Sequence, residues 1–195
     1  MKKTLLFLVA LMSCASMLAS TPRAEYPRPQ FERKEWMNLN GKWQFQIDSE
    51  FVGKQEKLFE SKTRLNSEII VPFAPESKLS GVGNTNHMDA VWYKRNVVIP
   101  QNWDGKKIML NFGGVDFLCE VWIDGVYVSS HEGGTSSFSF DVTPFVKAGK
   151  TAEITVYAED KLSNWSKQPS GKQCSRESYG CFYTRTTGIW QTVWM

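Results

Sequence analysis

The chain has 195 residues, of which 42% are hydrophobic, 13% aromatic and 22% charged, and a formal net charge of +3. That is enough apolar material for one sizeable core. Lys2 and Lys3 fall in a stretch that reads as removable; without them the charge is about +1, which gives no electrostatic case for nucleic acid.

Residues 1–20 read as a targeting segment. Lys2 and Lys3 form its basic start, and residues 5–12 form an apolar run too short to span a bilayer. Two processing routes are open. Ser13-Cys14-Ala15 offers small residues to a signal peptidase. Leu11-Met12-Ser13-Cys14 resembles a lipoprotein box in which Cys14 carries the lipid, although Met12 fits such a box poorly. The expected location is periplasmic or secreted, with an outer-membrane lipoprotein as the alternative; contact with a membrane is expected only through Cys14.

Residues 21–35 are rich in proline and charge and read as an extended lead-in. A strand starts at Leu39-Asn40-Gly41, where Trp43, Phe45 and Ile47 alternate with Lys42, Gln44, Gln46 and Asp48. Residues 49–67 are polar and mixed, a loop with a helical turn. A short strand over 68–71 stops at Pro72, and Pro72, Pro75, Gly81 and Gly83 mark a long loop through 89. Strands follow over 91–99, ended by Pro100, and over 107–112, with Ile108, Leu110 and Phe112 on one face.

Residues 117–149 carry the strongest local signals. Asp124-Gly125 between alternating apolar runs predicts a type I′ hairpin. Phe117, Cys119, Val121 and Ile123 share one face of its first strand; Leu118, Glu120 and Trp122 share the other. The stretch closes on one short helical turn, with Thr143 expected as N-cap, Pro144 at the first helical position and Gly149 just past the end. A strand over 152–158 follows, then a polar loop over 160–187, then a last strand over 188–194. About eight or nine short strands and a single helical turn give an all-β jelly-roll sandwich. The last strand reaches the final residue, so the expectation is a fragment or a truncated reading frame.

An ordered set of segments carries a family resemblance. These are Leu39-Asn40-Gly41-Lys42-Trp43, Val71-Pro72-Phe73, Val91-Trp92-Tyr93-Lys94-Arg95 and Leu110-Asn111-Phe112-Gly113-Gly114-Val115-Asp116. Val121-Trp122-Ile123-Asp124-Gly125, Phe140-Asp141-Val142-Thr143-Pro144-Phe145 and Thr187-Gly188-Ile189-Trp190-Gln191 complete it. In this order they resemble the N-terminal sugar-binding domain of family 2 glycoside hydrolases, the β-galactosidase, β-glucuronidase and β-mannosidase group. The resemblance implies a galactose-binding-like jelly roll over 36–195, a carbohydrate as substrate partner, and an immunoglobulin-like sandwich and a catalytic barrel downstream. The β-galactosidase kind is the expectation within the group.

Retaining glycosidases need two carboxylates about 5 Å apart. The family carries them on the barrel, its acid/base in an Asn-Glu pair, and no Asn-Glu dipeptide occurs here. The chain alone is expected to be inactive, with no catalytic residue of its own and no cofactor. A free-standing carbohydrate-binding module or adhesin is the alternative, and a purely structural piece without ligand affinity a third reading.

The loop over 160–187 holds the candidate binding or inter-domain residues Asp160, Trp165, Lys172, Gln173 and Arg185, with Gln168 and Arg176 beside them. The competing reading is a solvated loop with a structural Arg–carboxylate pair. Some family members place an aspartate in this loop; Phe182-Tyr183-Thr184 stands here instead. Trp165 is the candidate for stacking on a sugar. Past Cys14 three cysteines remain, an odd number. Cys119 reads as a buried apolar residue, and Cys174 and Cys181 are the pair a disulfide would join. No metal site is expected: His87 and His131 lack ligand spacing and read as exposed loop residues, and Gly81, Gly83, Gly133 and Gly134 read as turn glycines.

Overall fold

A computed structural model describes residues 20–161, 168–169 and 171–195. The readings for residues 1–19, Cys14 included, and for Trp165 lie outside the described residues. Eleven strands are present among the described residues: β1 Gly41–Ile47, β2 Ser67–Val71, β3 Ala90–Val98, β4 Met109–Phe112, β5 Val115–Asp116, β6 Leu118–Ile123, β7 Val126–Glu132, β8 Phe138–Asp141, β9 Thr151–Glu159, β10 Gly188–Ile189 and β11 Val193–Trp194. All pairings between them are antiparallel. One sheet runs β2-β1-β3-β9-β6-β7; a smaller one runs β11-β4-β8, and β10 pairs with β5. This is the expected all-β sandwich.

The core lies between the sheets because strand residues alternate faces. Trp43, Phe45, Tyr93, Val121, Ile154 and Val156 from the large sheet meet Leu110, Phe112, Phe138 and Val193 from the small one. Each buried side chain of this size contributes roughly 1.5–3 kcal/mol relative to exposure.

Simple alternation fails on the other face of the large sheet, which is also covered. Leu58 and Leu65 of the 49–66 segment bury Trp92, Trp122 and Tyr157 in a second cluster. Phe59 stacks on Trp122 with ring centroids 5.5 Å apart. Two polar residues hold this cover down. Asp48 accepts hydrogen bonds from Val52 N, Gly53 N and Trp92 Nε1 at 2.9, 3.0 and 2.9 Å. Lys94 is fully buried in β3 and donates to the Glu60 and Thr63 carbonyls at 2.5 and 2.8 Å. The segment expected as a loop with a helical turn is therefore a lid over a hydrophobic face.

The hairpin is where the sequence placed it. Asp124 and Gly125 have φ of 49° and 80°, both left-handed as a type I′ turn requires. Two local expectations are corrected. Thr143 does not cap a helix; it opens a 3₁₀ turn at Thr143–Phe145. Asp141 Oδ1 accepts from Thr143 N at 3.1 Å, and Thr143 Oγ1 accepts from Ile108 N at 2.8 Å. The last strand is also not continuous: β10 and β11 join different partners, β5 and β4. Gly113-Gly114 breaks the facing chain at the same level. A Cβ at Gly113 would fall 2.7 Å from Gln191 Cβ, and one at Gly114 2.8 Å from Trp190 Nε1. Only side-chain-free backbone fits against this crossing.

Candidate functional site

Three connections converge beyond the ends of β3, β5 and β9. The loop between β2 and β3 brings Glu76, His87 and Asp89. β5 brings Asp116. The segment from β9 to β10 brings Asp160, Gln168, Gln173, Arg185 and Thr187. Arg185 is the hub. Its Nη2 lies 2.9 Å from Asp160 Oδ2 and also donates to the Asp160 carbonyl. Its Nη1 lies 2.7 Å from His87 Nδ1 and 3.8 Å from Asp89 Oδ1. A guanidinium only donates, so His87 Nδ1 is the acceptor in this contact. Thr187 completes the knot: its N donates to Glu76 Oε2 at 3.2 Å and its Oγ1 to Asp160 Oδ2 at 3.3 Å.

Both ends of the long segment are thus tied. Gln168 Nε2 donates to Asp160 Oδ1, and its Oε1 accepts from Lys161 N at 3.0 Å. Gln173 Nε2 donates to Asp116 Oδ2 at 3.2 Å, and Arg176 donates to Asn86 Oδ1. Between these ties the chain closes on itself through Tyr183 N to Lys172 O at 3.1 Å and Ser175 N to Tyr183 O at 3.2 Å. Tyr179 and Phe182 exchange backbone bonds of 3.1 and 2.9 Å around a tight turn. The tip presents Tyr179, Phe182 and Tyr183 to solvent, 63%, 38% and 50% exposed.

The knot is rich in negative charge. Glu76, Asp116 and Asp160 are all buried, with one guanidinium among them. Burial raises the Glu76 carboxyl above its usual range, opposed by the hydrogen bond from Thr187. Asp116 is pushed up to about 6, first by burial and then by the neighbouring Asp160 charge; the Gln173 amide pulls the other way. Glu76 Oε1 and Arg185 Nε are buried and have no hydrogen-bond partner among the described residues. Gly134 walls the site: a Cβ there would lie 2.3 Å from Asp116 Oδ1, and its carbonyl accepts from Trp190 Nε1 at 2.7 Å. Among the described residues no group of three or more His, Cys, Asp or Glu side chains is arranged to hold a metal ion.

The structure brings three of the expected residues together, Asp160, Gln173 and Arg185, and leaves Lys172 outside the knot. Asp160 and Arg185 form a buried ion pair, which was the competing structural reading of the loop. Gln173 reaches the same knot, while Lys172 stays exposed and contributes its carbonyl. Cys174 and Cys181 are free and exposed, and Cys119 is buried. Burial raises the Cys119 thiol far above its ordinary range. His131 is on β7 rather than in a loop, its ring stacked 4.0 Å from that of Phe138. Sequence reasoning missed Asp116 and Glu76. For Asp116 a signal existed, an acid between the apolar Val115 and Phe117; for Glu76, in a proline-rich loop, none did.

Residues 36–194 match the family described as glycosyl hydrolases family 2, sugar binding domain. A β-glucuronidase of Felis catus is 31% identical over 152 residues, covering 71% of this chain and 23% of that protein. The Paenibacillus borealis β-glucuronidase is 29% identical over 147 residues, 75% of this chain and 24% of the relative. A β-galactosidase of Thermoanaerobacter pseudethanolicus is 27% identical over 104 residues. The crystal structure of Ruminococcus gnavus β-glucuronidase superposes with a TM-score of 0.64 at 23% identity, over 84% of this chain and 29% of that one. This last likeness concerns the fold. The chain spans about a quarter of the length of these β-glucuronidases.

Proposed function

The chain belongs to glycosyl hydrolase family 2 through its sugar binding domain, and from that premise we propose that it serves a longer, exported glycosidase as its N-terminal accessory module. In this reading the whole enzyme hydrolyses O-glycosidic bonds with retention, through a glycosyl-enzyme intermediate on a downstream barrel. The module buttresses that barrel and presents the 172–184 tip to the sugar pocket. The substrate belongs to the β-galactoside and β-glucuronide group, as the names of the relatives suggest. Residues 1–20 provide export.

One observation supports the reading above the rest. Arg185 and Asp160 tie down both ends of a segment whose tip exposes three aromatic rings. Fixing a loop while leaving apolar rings in water suits a surface that meets a partner. The chain by itself is inactive in this proposal. Nitrophenyl β-galactoside and β-glucuronide turnover by the purified chain, compared with a buffer control, tests that; turnover above the control overturns it. The same exposed rings favour a second reading, a carbohydrate-binding module without catalysis. Glycan binding by the chain, unaffected by adding the rest of an enzyme of the family, distinguishes that module.

A further inference from the structure

The Arg185 knot is closed but not fully satisfied. Arg185 Nε is a donor and Glu76 Oε1 an acceptor, and among the described residues neither buried atom has a partner. Its charge is also unbalanced. Glu76, Asp116 and Asp160 are 8%, 8% and 3% exposed, and Arg185 is the one buried cation beside them among the described residues.

Asp116 has the poorest support of the three acids. Asp160 has the guanidinium and the Thr187 hydroxyl, and Glu76 has the Thr187 amide. The described side-chain hydrogen bond to the Asp116 carboxyl comes from the neutral amide of Gln173. The elements around it add negative charge or none, Arg185 excepted. The end of β9 brings Asp160. The loop between β2 and β3 brings Glu76, while its His87 and Asp89 face Arg185. The turn after β7 presents Gly134. At the end of β7, His131 bonds Ser136 Oγ at 3.0 Å and Glu132 is exposed. From β3, Tyr93 gives its hydroxyl oxygen to Ile189 N at 3.3 Å.

An ionised Asp116 gains by reaching water. β5 and β9 are fixed by strand pairing, so they do not yield. Gln173 does. It is only half-buried, and the described hydrogen bonds joining 172–184 to the rest of the domain are those of Gln173 and Arg176. Lifting this segment admits water to the knot, where it serves the Asp116 carboxylate and the two unpartnered atoms.

We propose that the knot is a proton-controlled latch, which holds 172–184 down while Asp116 is protonated and lets it lift as Asp116 ionises. The covered carboxyl titrates near 6, pushed up first by burial and then by Asp160, whereas an uncovered one titrates at about 3.9. Opening is therefore least favoured below that window, rises with pH through it, and levels off above about 6. The latch rests on the proposed function only for the use made of the tip; the opening belongs to this chain by itself.

Amide hydrogen exchange of the 195-residue chain, followed by NMR at pH 4.5 and 7 and corrected for intrinsic exchange, tests it. Ser175, Tyr183 and Thr187 report the latch, since their amides donate to Tyr183 O, Lys172 O and Glu76. Ile154 and Val156 of β9 report unfolding of the whole domain. The opening constants of the three reporters rise about tenfold or more between the two pH values and exceed those of the β9 pair at both. On the same sample the Asp116 carboxyl carbon titrates with a midpoint near 6. Asp116→Asn flattens the rise, and Glu76→Gln reduces it by removing a neighbouring negative charge. The wild-type readings decide even where a variant does not fold. The latch is overturned by reporters that ignore pH, that open only together with the β9 pair, or that keep the full response in Asp116→Asn, and by a carboxyl midpoint of about 4. Normal kinetics of loop-tip variants in a full-length enzyme bear on the proposed function alone.

Discussion

Arg185 Nη2 meets Asp160 Oδ2 at 2.9 Å with only 4% and 5% of the two side chains exposed. The pair links the end of β9 to the chain just before β10, and through His87 it reaches the loop between β2 and β3. Removing one partner of such a pair leaves a buried charge uncompensated, at a cost of about 3–5 kcal/mol. Arg185→Met is expected to lower stability by that amount in urea unfolding. Arg185→Met with Asp160→Leu is expected to recover part of the loss, because neither charge then remains. A single-variant loss below about 1 kcal/mol refutes the hub.

Asp116 makes stability depend on pH. Its folded carboxyl titrates near 6, above the ordinary value of about 3.9 in an unfolded chain. Between those values the folded state holds the proton and the unfolded state does not. Stability is therefore greatest below the window, falls as pH rises through it, and levels off above about 6. Glu76 is shifted in the same direction by burial. Asp116→Asn keeps an acceptor for Gln173 and removes the titration. The variant's urea midpoint is expected to change less than the wild type's between pH 4.5 and 7, with the Glu76 contribution remaining. Identical profiles contradict this.

Lys94 tests the lid over the second cluster. Its amine bonds two carbonyls of the 49–66 segment and lies 3.3 Å from Glu153 Oε1. Burial lowers the amine's affinity for its proton, and Glu153 partly restores it. Lys94→Met frees the lid and leaves Glu153 unpaired, a loss of about 3–5 kcal/mol. Acrylamide quenching of Trp92 and Trp122 reports whether the lid has loosened, and it is expected to increase. Unchanged quenching means that Leu58 and Leu65 hold the lid alone.

The loop tip separates function from folding. Tyr179→Ser, Phe182→Ser and Tyr183→Ser change exposed positions, so each is expected to leave stability within about 0.5 kcal/mol. Introduced into a full-length enzyme carrying this domain, they are expected to lower kcat/KM. Lys172→Ala lies on the same surface and is expected to act in the same direction. Normal kinetics for all four remove the tip from the sugar pocket.

The large sheet was legible because it is built from local signals. Alternation in β1 and β9, Pro72 and Pro100 at strand ends, and Asp124-Gly125 each act within a few residues. The two corrected elements were not local. Thr143 looks like a cap until β4 arrives and Ile108 N takes its hydroxyl as acceptor. Residues 188–194 look like one strand until Gly113-Gly114 divides them between two partners. The site follows the same division. The length and polarity of the 160–187 segment marked it as informative, and Asp160, Gln173 and Arg185 were picked from it by residue type. Asp116 lies 57 positions from its partner Gln173, His87 lies 98 from Arg185, and Glu76 lies 111 from Thr187.

The sequence alone determined the all-β class, the hairpin and the family, because alternation, turn chemistry and the ordered motifs are properties of short segments. Only the tertiary structure decided how the late loop is held. Burial makes Asp160 and Arg185 a clamp, since charges withdrawn from water must find one another. The same packing raised the Asp116 carboxyl and left Tyr179, Phe182 and Tyr183 as the exposed part of the loop.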